Sequence, residues 1–169
     1  MMSSLMFQEE NLERHISSDM KIAIADLIMA WAALDTIIEY WSGLTFGLPM
    51  DLHSILFGNM QTKARIEKLK LAFSHYGNDS SAKSLTRLAK GHSKFADTRN
   101  AIAHRKCIGT LKDDPSRLVF TSTKHVKKSV GNFEVLAIDL SEIKAATDFA
   151  INAENNIWEI TERLTKNEP

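Results

Sequence analysis

The chain is poor in the residues that staple or interrupt a fold. Cys107 is the only cysteine among 169 residues, so no intrachain disulfide and no Cys-based zinc cluster can form, which fits a reducing compartment. Only three prolines and seven glycines are present, which leaves long stretches with nothing to break a helix. A long uncharged apolar run is missing as well. The most apolar stretch, Ile22 to Trp41, contains Asp26, Asp35 and Glu39, and acidic residues at the centre of a span cost roughly 2.5 to 3.5 kcal/mol each on bilayer insertion. It reads as a buried helix of a soluble, cytoplasmic protein. Met1 to Glu10 lacks the basic start and apolar run of a signal peptide. No glycine loop suited to cradling phosphate, no nucleophile elbow around Ser93, no internal repeat and no low-complexity segment is found.

What the chain does have is enough apolar content, 44%, to bury one substantial core, so residues 1–169 are read as a single domain. Its formal charge is zero, but the charge is polarised. Residues 83–128 hold twelve Lys or Arg against three Asp, a net of +9, and the remainder carries the compensating −9. Such a window can present a positive surface to phosphates while the whole stays soluble; ordinary solvated lysines are the competing explanation.

Periodicity predicts a mainly α fold, an antiparallel bundle of about four to five helices. Residues 4–15 form a short amphipathic helix on this reading, anchored by Leu5, Leu12 and Ile16. From Ser18, the spacing of Met20, Ile24, Leu27, Trp31, Leu34, Ile38 and Trp41 marks a helix seam, and Ile28, Met29, Ala32 and Ile37 extend its apolar surface as if it were buried on most sides. Asp19 is its expected cap, and Gly43 with Gly47-Leu48-Pro49 its end. A second helical region follows from Asp51, with a break at Gly58-Asn59; Ile66, Leu69, Phe73 and Tyr76 share one face, with Lys63, Arg65, Lys68 and Lys70 largely elsewhere. A third long helix over about 81–104, capped by Asp79 or Ser80, carries Leu85, Leu88, His92, Phe95, Arg99 and Ile102 on one stripe. Lys83, Arg87, Lys90 and Lys94 lie on the opposite side. A small β-hairpin or sheet insert at about 107–138 is expected from three short β-branched runs, Cys107 to Leu111, Leu118 to Thr123 and Phe133 to Ile138, separated by Asp113-Asp114-Pro115 and Gly131-Asn132. Asp139 and Glu142 then read as a capping box for a last helix seamed by Ala146, Ala150, Ala153, Ile157, Ile160 and Leu164.

Chemistry concentrates at Asp97-Thr98-Arg99-Asn100-Ala101-Ile102-Ala103-His104-Arg105-Lys106. On an ideal helix His104 lies about 40° from Asn100 and about 20° from Asp97, whereas Arg99 points about 140° away from His104. For Arg99 and His104 to meet on one phosphate, the helix must unwind, Arg99 must reach around, or a second protomer must supply one of them. The other histidines lack ligand spacing: His92 reads as a core residue, and His15, His53, His75 and His125 give no metal site. Trp31, Trp41 and Trp158 read as core rather than base-stacking residues.

The arginine, the asparagine straight after it and the histidine five residues on, RNAIAH at 99–104, resemble the motif of the HEPN superfamily, small helical bundles in which Arg, four to six residues and His follow a long helix. The resemblance implies a metal-independent endoribonuclease, of the toxin or phage-defence kind, working as a homodimer without a cofactor. Arg99, Asn100 and His104 would form the catalytic set, and Lys90, Lys94, Arg105 and Lys106 would bind RNA. An antitoxin or a nucleotidyltransferase is the implied protein partner. Histidine suits proton transfer to and from the 2′- and 5′-oxygens, and arginine suits the phosphate. The same fold also serves as a noncatalytic nucleotide- or RNA-binding or protein-interaction module. A purely structural alternative pairs Arg99 with Asp35, Glu39 or Glu67 inside the bundle.

Overall fold

A computed structural model describes residues 3–4, 9–122 and 134–166. The positions Leu5, Thr123, Lys124, His125, Lys127, Lys128, Gly131, Asn132 and Phe133, and the side chain of Leu164, lie outside the described residues. The protein is mainly α-helical with a small antiparallel sheet. In chain order the elements are β1 (Ser3–Ser4), β2 (Leu12–Glu13), α1 (Ser18–Thr45), α2 (Met50–Phe57), α3 (Thr62–His75), α4 (Asp79–His104), β3 (Lys106–Leu111), β4 (Arg117–Ser122), β5 (Glu134–Asp139) and α5 (Leu140–Lys166). They divide into two compact units, one drawn from positions 1–29 and 96–147, the other from 30–95 and 148–169.

The first unit is built on the sheet, whose strand order is β1-β5-β4-β3-β2, every neighbouring pair antiparallel. The three long strands are those expected from the β-branched runs. Their alternation puts Val119, Val135 and Ala137 on one face with Leu12 and Leu111, while Leu118, Phe120, Leu136 and Ile138 are buried from the other side. Among the described residues of the expected helix over 4–15, no α-helix is formed. A 3-10 turn at Glu9–Asn11 leads into β2, which pairs Leu12 with Leu111, and β1 pairs Ser3 with Ala137. Three apolar anchors are too few to hold an isolated helix, whereas a strand edge gains hydrogen bonds and a place for Leu12 in the core.

The second unit packs helices around the α1 seam. Trp31 lies against His92 of α4, ring centroids 5.1 Å apart, and against Phe149 of α5 at 6.0 Å. Further along, Trp41 meets Phe73 of α3 at 5.2 Å and Tyr40 meets Trp158 of α5 at 6.3 Å. Seam residues Leu27, Leu34, Ile38 and Trp41 are buried as expected. The rest of the α1 surface is not: Ile28 and Ala32 are exposed and Met29 is 69% exposed, although Ile37 is buried. An apolar count alone does not say which flank of a helix finds a neighbour, so α1 is less enclosed than its composition predicts. For the same reason Tyr76 and Trp158, both expected in the core, stand 75% and 45% exposed.

Helix ends are settled by local hydrogen bonds. Ser17, not Asp19, caps α1, its Oγ accepting from Met20 N–H at 3.3 Å. Asn78, not Asp79 or Ser80, caps α4, accepting from Ser81 N–H at 3.1 Å. In both cases a residue one or two steps earlier reaches the third amide of the helix. Gly47 (φ 59°) and Gly77 (φ 72°) close α1 and α3 in left-handed conformation, with Leu48 N–H to Gly43 C=O and Asn78 N–H to Phe73 C=O completing Schellman motifs. Asp139 caps α5 as expected, accepting from Ser141 N–H at 2.7 Å.

One side chain reverses its expected position. Arg65, placed by periodicity away from the apolar face, is only 5% exposed. Its guanidinium donates to Phe57 C=O at 2.9 Å and Gly58 C=O at 3.2 Å, the orphan carbonyls at the end of α2, and pairs with Glu39 at 3.2 Å. The break at Gly58-Asn59, correctly expected, is what creates those unsatisfied carbonyls.

Candidate functional site

The last two turns of α4 carry the candidate residues on a helix held firmly from its other side. Thr98, Ala101 and Ile102 are buried, and Thr98 Oγ1 donates to Glu142 Oε1 of α5 at 2.5 Å. That anchoring turns Asp97, Asn100, Ala103 and His104 outward, all four exposed. Arg99 falls between the two sides and is half-buried. The α-helical pattern persists to the end, with Arg105 N–H still donating to Ala101 C=O at 3.0 Å, so the helix does not unwind between Arg99 and His104.

Arg99 and Asn100 come together: Arg99 Nη1 donates to Asn100 Oδ1 at 3.1 Å. Adjacent helical side chains diverge by about 100°, and only the length of the arginine lets it swing round to the asparagine. Of the carboxylates expected as alternatives for Arg99, Glu39 pairs with Arg65 at 3.2 Å and Glu67 with Lys70 at 2.8 Å. His104 is brought to neither Arg99 nor Asn100 by a hydrogen bond, and its imidazole has no side-chain partner among the described residues.

The flanking cations divide between the two units. Arg105 is half-buried and Lys106, opening β3, is exposed; both belong to the first unit. Lys90 and Lys94 belong to the second and are exposed with Lys83 and Arg87 on one face of α4. Lys94 Nζ lies 4.7 Å from the centre of the neighbouring Phe95 ring.

Chemically, the asparagine's accepted bond holds the guanidinium over the exposed face, while the amide nitrogen of Asn100 remains available to a phosphate oxygen. Cys107, three residues beyond His104, is unsuited to nucleophilic work. It is half-buried, burial pushes its thiol above the ordinary value, and its Sγ contacts Gly109 C=O at 3.9 Å. Among the described residues no three His, Cys, Asp or Glu side chains converge as metal ligands, and no helix is long and apolar enough to cross a membrane.

Sequence reasoning missed a groove of about 270 Å³ in the second unit, between α4 and α5, floored by Leu85, Leu88, Phe149 and Ile157 and rimmed by Ser84, Arg87, Asn152, Asn156 and Glu159. Arg87 was legible as part of the basic stripe. The asparagines were not, because nothing in the spacing of α5 tells which of its polar residues border a groove. No family model matches the chain, and neither the curated proteins nor the solved structures offer a match to it.

Proposed function

We propose that the protein is a metal-independent endoribonuclease of HEPN type that works as a homodimer, with Arg99, Asn100 and His104 as its catalytic set. The observation that carries this reading is the exposed His104, without a side-chain partner among the described residues, at the end of an intact helix about one turn beyond an arginine already drawn onto its neighbouring asparagine. With the helix intact, Arg99 and His104 of one chain diverge, and two copies related across a cleft supply both the missing proximity and the second imidazole. One His104 takes the proton of the RNA 2′-hydroxyl as that oxygen attacks phosphorus. The P–O5′ bond breaks, and the imidazolium of the second His104 protonates the leaving 5′-oxygen. Arg99 donates to the nonbridging oxygens as charge accumulates there. The products are a 2′,3′-cyclic phosphate and a 5′-hydroxyl, and an antitoxin or nucleotidyltransferase partner would restrain the activity.

The test is cleavage of RNA in the presence of a chelator, with end groups identified by mass spectrometry. His104→Ala lowers the rate by about 100-fold or more while circular dichroism and sedimentation stay as in the parent. Cleavage retained by His104→Ala would overturn the assignment. RNA bound but never cut by the parent protein would instead favour the noncatalytic module, for which the supporting observation is that no group orients His104 among the described residues of one chain.

A further inference from the structure

Resting on the RNA-directed reading above, we infer that the α4–α5 groove of the second unit is a subsite for one unpaired RNA base, with Arg87 on the adjoining phosphate, and that the protein therefore takes single-stranded rather than duplex RNA. Two independent features coincide there. Lys83, Arg87, Lys90 and Lys94 are exposed along one face of α4, and no described carboxylate pairs with any of them. At 1.5 Å rise per residue they cover about 16 Å of helix, enough for two to three successive phosphates of an extended strand. A row of unneutralised cations calls for a polyanion, whose binding releases counterions.

The groove lies beside this row and shares Arg87 with it. Its volume of about 270 Å³ exceeds that of a purine ring. The floor is apolar: Leu88, Phe149 and Ile157 offer the flat, dry surface on which a base face loses water. The rim is not. Phe149 crosses α4 at Gly91, and counting antiparallel from that contact sets Arg87 near the level of Asn152, with Ser84 near Asn156. The Asn152 side chain makes no hydrogen bond within the described protein, and Asn156 spends only its amide donor, on Asn152 C=O at 2.7 Å. Side-chain amides carry both donors and acceptors, which suits the mixed edge of a nucleobase. A base held in a duplex cannot reach this floor, because both of its faces and its pairing edge are already occupied.

The experiment measures fluorescence anisotropy of a short 2′-O-methyl RNA, as a single strand and as a blunt duplex of the same sequence. The modification blocks transphosphorylation, so binding by the intact parent chain is read apart from cleavage. The parent binds the single strand about tenfold more tightly than the duplex. Ser84→Phe, which fills the groove without changing charge, removes that preference by weakening the single strand about tenfold and leaving the duplex unchanged. Asn152→Ala, at an exposed position, weakens the single strand severalfold and decides the matter alone if circular dichroism shows Ser84→Phe unfolded. Equal affinity for the two RNAs, or a single-strand affinity untouched by either variant, overturns the inference. A groove-dependent preference without cleavage of unmodified RNA leaves this subsite standing and removes only the ribonuclease reading.

Discussion

Arg65 shows how a single side chain can join three elements. It sits on α3, donates to the last carbonyls of α2 and pairs with Glu39 of α1. Truncation removes the partner of the buried Phe57 carbonyl and leaves Glu39 unpaired. Because Glu39 is itself partly exposed, the loss belongs at the lower end for broken buried pairs, about 3 kcal/mol; Arg65→Ala should lower the urea midpoint accordingly, with the slope unchanged. The Asp139 carboxylate works at smaller scale. Its pKa lies below the usual value because the Ser141 hydroxyl and then the Ser141 N–H stabilise the anion, with Ser116 and Arg117 adding to this. A depressed carboxyl contributes stability above its unfolded value of about 3.9 and loses it as pH falls through the folded value. Asp139→Ala should therefore cost about 1 kcal/mol near neutrality, and the gap between variant and parent should narrow below about pH 4. A gap constant from pH 7 to pH 2 would show that the charge plays no part.

Among the helices, α4 and α5 depend on an absence. A Cβ at Gly91 would come within 2.1 Å of the Phe149 ring, which is itself hemmed in by Trp31 and by Phe95 at 5.5 Å. Alanine gains about 1 kcal/mol of helix propensity over glycine, but overpacking of this kind costs 1–3 kcal/mol. Gly91→Ala should be a net loss on the order of 1 kcal/mol, partly relieved when Phe149→Leu is added. A stabilised Gly91→Ala would mean that the ring gives way. Helices and long strands of this protein were legible in its sequence because each rests on a repeated local choice: the four-three spacing from Met20 to Trp41, and the β-branched runs after Lys106. β1 and β2 were not, since two residues hold no period and form only where β5 and β3 are already waiting for them. The caps of α1 and α4 were off by one or two residues for a similar reason. Ser, Asn and Asp cluster at these starts, and which of them reaches the third amide is a matter of geometry rather than of type.

Across the molecule, neutrality overall conceals exposed cations along α4. Their face was readable from the sequence, as were the outward set of Asp97, Asn100 and His104. The bond from Arg99 to Asn100 was not, because it depends on a long side chain bending back to its neighbour, and neither was the groove, whose walls are more than fifty residues apart in the chain. The edges of the sheet hold one more lesson. Ser3 pairs with Ala137 at one edge and Leu12 with Leu111 at the other, so each edge forms only by closing a loop of about a hundred residues or more. Helices close their hydrogen bonds locally and early, whereas contacts that enclose most of the chain form slowly. During synthesis neither edge can close before its partner strand, β3 or β5, has emerged, and until it closes that side of the sheet is open to strands from other chains.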